Sequence, residues 1–347
     1  MDIPRRASSD PTILWAMEIF TYAHWRARGL SKRALERALD AGVVWRVLKS
    51  VYADGSVPDC LDTRARAIGL VRPRETAIGR ETAAWLAGLD VLPPGSSIVD
   101  EPIRLLVPPD VTPPRLPGCR SYQAPLPDSD LVEDRGVLRT SDLRTALDLG
   151  RFCPREQAVA SLDAFLHAGR ATLVELWQRA SALVRVRNCR ILRANLAVAD
   201  AGAESYAESV LRVVYVDGNL PRPQTQIPVT DRSGGLIGYL DMGWHRYRVG
   251  SEYNGEAGHD SDDQARHDER RRMAMRREDD WDLVVARKGD LWGRRAALVE
   301  RTAHLLLDAG WSPSDTAILE QIARAVEFEA RTGQQWRWMP VGSGAAA

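Results

Sequence analysis

Five side chains between residues 208 and 259 are of types that hold a hard cation or move a proton: Glu208, Asp241, Glu252, Asn254 and His259. Gaps of 33 and 11 residues separate the three acids. A helix carrying Glu208 and two neighbouring strands carrying Asp241 and Glu252 would bring them to one point. The reason to gather them is a cation, Mg²⁺ or Mn²⁺; Mg²⁺ is usually held by one or two carboxylates, with water and substrate phosphate completing the shell. Such an ion acidifies a bound water and screens a phosphodiester in its transition state. Glu208, Asp241 and Glu252 are therefore the candidate metal ligands. Asn254 orients a water or fastens the sheet end, but cannot carry a proton. His259 follows Gly255 and Gly258 in a loop past the acidic strand, where it can act as general acid or base.

The surrounding chain supplies the positioning elements. The spacing predicts a helix at 205–215, a strand at 224–229, a hairpin of 236–241 and 247–253 turning near His245-Arg246, a helix at 262–277, a strand at 281–286 and a helix at 291–309. Alternation along the second hairpin strand puts Glu252 and Asn254 on one face, with Val249 and Tyr253 on the other. Six arginines fall between 266 and 277. Arg270 and Arg271 are candidate DNA contacts, Met273 and Ala274 are expected to turn inward, and Asp268 can pair with Arg271 or Arg272 along the helix.

The order of acids on helix, strand and strand resembles the PD-(D/E)XK nucleases. More narrowly, Ser205 to Arg212, Leu240-Asp241, Glu252-Tyr253-Asn254-Gly255, His259, Asp268-Glu269-Arg270-Arg271 and Trp281 to Arg287 resemble actinobacterial relatives of very-short-patch-repair endonucleases. The resemblance covers about a quarter of the chain. It implies a central mixed sheet flanked by helices, and a metal-dependent endonuclease of DNA repair or of defence against foreign DNA. Asn254 stands where the broad superfamily has a catalytic lysine. The repair branch lacks that lysine and uses histidine, which puts His259 in that role. An inactive site remains open.

The N-terminal stretch predicts helices at 11–18, 22–28 and 32–41, capped by Asp10, Thr21 and Ser31, then a hairpin of 43–48 and 50–53. Three short helices and a hairpin make a winged helix-turn-helix. Its last helix would enter the major groove with Lys32, Arg33 and Arg37, while Arg46 and Lys49 on the wing would meet phosphate. Trp25 to Leu35, with Ser50-Val51-Tyr52, resembles the N-terminal domain of AbiEi-type antitoxin regulators. Between 57 and 138 a small mixed α/β region with a strand at 104–107 is expected. Residues 139–202 read as a helical linker region, 203–310 as the nuclease-like domain, and 311–347 as a C-terminal helix and tail, a candidate surface for a second subunit in a homodimer.

Formal net charge is zero, which argues against bulk attraction to DNA and makes any nucleic-acid contact local. Of 47 basic residues only Lys32, Lys49 and Lys288 are lysines. Cys60, Cys119, Cys153 and Cys189 form no CxxC pair, which argues against a zinc site or a disulfide framework. No apolar run long enough to span a membrane and no signal-peptide layout is visible, so a cytoplasmic protein is expected. The fold class is multidomain α+β: a winged helix-turn-helix, a helical middle and a restriction-endonuclease-like α/β domain. Two functions stand open: a Mg²⁺- or Mn²⁺-dependent endonuclease, or an antitoxin-like transcriptional regulator whose nuclease fold is inactive.

Overall fold

The computed structural model describes residues 18–73, 76–116, 118–255 and 262–341, with side chains after 262 described from Arg270 onward apart from Glu278. The chain divides into two units between Asp148 and Leu149. Both are mixed α+β.

The first unit opens on β1 (Ile19–Thr21) and α1 (Tyr22–Ala27), where the Thr21 hydroxyl accepts the His24 N–H at 3.2 Å. Ser31 caps α2 (Lys32–Asp40) through the Ala34 N–H at 3.1 Å, and Gly42, at φ +67°, ends it in the left-handed conformation a side chain would resist. β2 (Val44–Leu48) and β3 (Val51–Asp54) follow, and the antiparallel sheet has the order β1-β3-β2. Phe20, Trp25, Leu35 and Val44 form the core between this sheet and its helices. The helix expected at 11–18 lies outside the described residues, save for Glu18. What precedes α1 among the described residues is a strand, β1, which the sequence reading did not expect.

α3 (Leu61–Gly69) then leads to β4 (Ala77–Ile78), α4 (Arg80–Leu86), β5 (Ile103–Val107), β6 (Cys119–Gln123), β7 (Leu131–Asp134) and β8 (Val137–Thr140). The five strands form one mixed sheet in the order β6-β5-β4-β8-β7. Only β5 was legible beforehand, because the others are two to five residues long and sit among prolines and turns without sustained alternation. α5 (Asp142–Phe152) follows; its Arg144 is buried against Asp130 at 2.8 Å and Asp148 at 2.9 Å.

In the second unit, α6 (Arg155–His167), α7 (Leu173–Ala182), α8 (Cys189–Leu196) and α9 (Tyr206–Asp217) precede the sheet. Thr172 and Glu175 form the capping box of α7, and His167 ends α6 with its Nδ1 3.1 Å from the Ala201 carbonyl. α9 is fastened to α6 by an ion pair of Arg212 and Asp163, both almost wholly excluded from solvent. Asp163 also accepts the Ser209 hydroxyl at 2.6 Å and the Asp200 N–H at 2.7 Å. These donors offset the cost of burying the carboxylate.

β9 (Gln224–Thr230), β10 (Leu236–Trp244) and β11 (Val249–Asn254) form an antiparallel meander; α10 (Asp262–Asp279) crosses to β12 (Asp282–Arg287), parallel to β11. One face of the sheet buries Met242, Trp244, Val249 and Val284 against Tyr215 and Leu298; the other buries Ile227, Leu240 and Leu283 against Met275 and Trp281. Met275 is the inward methionine of α10, and Met273 is 57% exposed, contrary to the expectation from helical spacing. The reason is Gly238: a Cβ there would meet Arg271 Cδ and Met275 Cε at 3.2 Å each, so this glycine admits the 271/275 face of α10 to the sheet.

The helix expected at 291–309 is two, α11 (Lys288–Trp292) and α12 (Arg295–Asp308), parted at Gly293. α13 (Ala317–Thr332) closes the unit, and Glu329 accepts the N–H groups of Ala296 at 2.9 Å and Trp336 at 3.0 Å. In the terminal segment, Trp338 and Val341 pack on the core of their own unit.

Truncating Asp163 leaves Arg212 charged and unpaired in the interior. Asp163→Ala should lower the urea-unfolding free energy of the second unit by about 3–5 kcal/mol, and Asp163→Leu with Arg212→Met should recover much of that loss. Equal losses in the single and double variants would contradict it.

Candidate functional site

The acids arrive from three elements. Glu208 lies in the first turn of α9, Asp241 in β10 and Glu252 in β11. β10 and β11 pair only up to Met242 opposite Ser251. Beyond that point the Tyr253 N–H is taken by the Asp241 carboxylate, at 2.8 Å, in place of a ladder carbonyl. Leu240 and Met242 join opposite cores, so the regular alternation breaks at Asp241.

Burial raises the pKa of Asp241 to about 7. The Tyr253 N–H opposes that rise, the charges of Glu208 and Glu252 reinforce it, and Arg271 draws it back down. Asp241 thus sits in the field of both other acids.

Each acid has other partners. Glu208 accepts the Ser205 hydroxyl at 2.7 Å and the Glu204 N–H at 2.9 Å, a helix-capping arrangement that Ser205-x-x-Glu208 signals in the sequence. Glu252, 4% exposed, receives Arg271 Nη2 at 2.9 Å on one oxygen and has Arg272 Nη1 at 3.8 Å from the other. Arg271 also donates to the Tyr239 carbonyl at 3.2 Å, while its Nε is buried with no acceptor. Intrahelical pairing with Asp268, whose side chain lies outside the described residues, was the expectation for Arg271 or Arg272; the contacts described for Arg271 run to the sheet past Gly238. This contact is the one sequence reasoning missed, and a glycine facing an arginine four residues before a buried methionine was its signal.

A divalent cation of the kind the nuclease resemblance implies would need several converged oxygens. Among the described residues, both Glu208 oxygens and one Glu252 oxygen are engaged by donors, the Tyr253 N–H falls on Asp241 Oδ2, and no group of three His, Cys, Asp or Glu side chains is placed to hold a metal ion. As arranged, Glu208 and Glu252 would have to release their present donors to hold the ion. Asn254 ends β11 opposite Arg287 of β12, and His259 lies outside the described residues. Arg270 is exposed on α10.

The candidate DNA contacts of the first unit lie elsewhere. Arg33, Arg37 and Lys32 are exposed on α2, with Lys32 3.6 Å from Glu36. Lys49 is exposed at the β2–β3 turn, whereas Arg46 is drawn to Asp100 at 3.4 Å.

Residues 75–197 match the AbiEi antitoxin C-terminal domain. That span runs from the start of the five-stranded sheet through α8. Uncharacterized proteins of Mycobacterium tuberculosis, from strains CDC 1551 and H37Rv, are each 31% identical over 169 residues, which is 48% of this chain and 62% of theirs. The chain therefore spans less than two thirds of the length of these curated relatives.

The raised Asp241 pKa has a pH signature. The carboxyl is protonated in the folded state up to about 7 but ionises near 4 when unfolded, so wild-type stability falls as pH rises from about 4 to about 7. Asp241→Asn keeps the oxygen facing Tyr253 and removes the slope. Its stability relative to wild type should climb across that window by a few kcal/mol, about 4 at most; parallel urea-denaturation curves at pH 5 and pH 8 (~3 units apart) would refute the assignment.

Proposed function

We propose that the chain is a DNA-binding regulator of the antitoxin type, acting in a defence setting. The observation that carries this reading is the antitoxin-domain match at 75–197, C-terminal to the elements ordered β1-α1-α2-β2-β3 and to α3. Strand, two helices and a hairpin in that order make a winged helix-turn-helix, with α2 as the groove-reading helix and the hairpin as the wing. Arg33 and Arg37 supply base or phosphate contacts, Lys49 meets the backbone, and the exposed Lys32–Glu36 pair is too weak to withhold Lys32. In this reading the second unit is a PD-(D/E)XK-type scaffold whose acids are held by arginines and a helix cap.

A selection from randomised duplexes tests it. The full chain should enrich a defined site, and Arg33→Ala with Arg37→Ala should weaken binding to that site by roughly tenfold or more, since each good base contact is worth about 1–3 kcal/mol. No enrichment, or an unchanged affinity in the variant, would exclude the reading.

Asp241 favours a second reading, phosphodiester hydrolysis with Mg²⁺ or Mn²⁺ at Glu208, Asp241 and Glu252. A carboxyl held near pH 7 by burial and by two other acids is the kind of group a cation would ionise. The regulator reading expects no nicking of supercoiled plasmid in either metal. Nicking that chelation and Asp241→Asn both abolish would establish hydrolysis, and nicking that persists in that variant would place it elsewhere.

A further inference from the structure

The sheet of the first unit ends at β6, which has a single partner, β5. Around that edge arginines accumulate. The parallel register sets Arg104 of β5 beside Arg120 of β6, and alternation puts Tyr122 on the same face. Three guanidinium groups meet the Tyr122 ring: Arg80 Cζ lies 3.8 Å from its centroid, Arg120 Cζ 5.6 Å, and Arg104 Nη1 donates to the phenol oxygen at 3.1 Å. Arg80 reaches the ring from a backbone at φ +51°, a conformation costing a non-glycine residue on the order of 1–3 kcal/mol. Strain of that size is retained where the side chain has to be in that place.

The local acids do not neutralise this edge. Glu81 and Glu101 both bind Arg104, at 3.1 Å each. Arg115 and Arg120 are exposed and make no ion pair among the described residues. These two line an open cavity of about 640 Å³ together with Thr112, Pro114, Leu116 and Ser121. A void of that size holds a nucleotide with room to spare.

Planar cations stacked on a phenol, beside an open cavity that sets Pro113, Pro114 and Leu116 next to the Arg115 and Arg120 guanidinium groups, match the two halves of a nucleotide: a phosphate and a flat base. In a duplex the bases are stacked away, so a site with space for a base suits a strand whose bases are unpaired. We propose that the β6 edge binds single-stranded nucleic acid, with phosphates on Arg115 and Arg120 and an unpaired base in the adjoining cavity. This site is separate from α2, and the inference does not rest on the duplex-binding reading.

The test uses the full chain and fluorescein-labelled oligonucleotides of about 12 nucleotides, one of deoxythymidine and one of uridine, by anisotropy between about 50 and 200 mM salt. Both should bind with affinity that falls as salt rises; tighter binding of the uridine oligomer would show that the ribose hydroxyl is read. Arg115→Ala with Arg120→Ala should weaken binding roughly tenfold and make the logarithmic salt slope shallower by about 1.4, as expected for two lost phosphate contacts. Arg120→Glu should weaken binding in the same direction, and both variants should keep the wild-type thermal unfolding midpoint because the side chains are exposed. Loss of single-strand binding in Arg33→Ala with Arg37→Ala but not in the Arg115/Arg120 variant would overturn the proposal. Failure of wild type to bind either oligonucleotide, unaltered affinity in the Arg115/Arg120 variant, or equally tight binding of a phosphoserine peptide would overturn the proposal.

Discussion

A main-chain N–H given to a carboxylate decides how the second unit is built. Where β10 and β11 part, Tyr253 donates to Asp241 and not to a strand carbonyl, and the side chain takes over the work of the ladder. A buried N–H without an acceptor would cost about 1–3 kcal/mol, so the parting of the strands requires an acceptor there. Placing a carboxylate at that point brings its charge close to those of Glu208 and Glu252, and the arginines of α10 answer that accumulation. Gly238, the depth of Met275 and the aim of Arg271 follow from the same need to bring α10 onto this sheet.

Local chemistry was legible in the sequence where one residue type has one physical use. Thr21, Ser31 and Thr172 cap helices as their hydroxyls dictate, and the glycines after α1 and α2 adopt the positive φ their positions require. The order of elements from α9 to β12 was also readable, because those segments are long and periodic. The short strands of the five-stranded sheet were not: β4 has two residues and shows no period at all. Helical spacing alone misplaced Met273, since a period fixes which residues share a face but not which face meets the sheet.

Partnerships between distant polar residues were the least legible part. Nothing local links Asp163 to Arg212, 49 residues on, yet that pair holds α9 against α6 and so fixes where Glu208 stands. Glu208 shows the complementary case. Its spacing from Asp241 and Glu252 suggested a ligand, while in the structure both of its carboxylate oxygens are engaged in the capping arrangement at Ser205. The two uses compete for the same lone pairs, so a sequence pattern that satisfies both cannot choose between them.

Net charge also hides what the fold does with it. The formal balance is zero, but charges are not spread evenly: Asp130, Asp148, Asp163, Glu81 and Glu252 are buried and engaged with Arg144, Arg212, Arg104 and Arg271. Arg33, Arg37, Arg115 and Arg120 are left exposed. Fields from exposed charges fade over a Debye length, about 8 Å at physiological salt, so a polyanion responds to such local groups and not to the sum over the chain. Arginine suits both uses. Its fixed fork satisfies a buried carboxylate with directed hydrogen bonds, and the same plane stacks on Tyr122 at the surface. A neutral formal balance is therefore compatible with local cationic sites of the kind both proposals require.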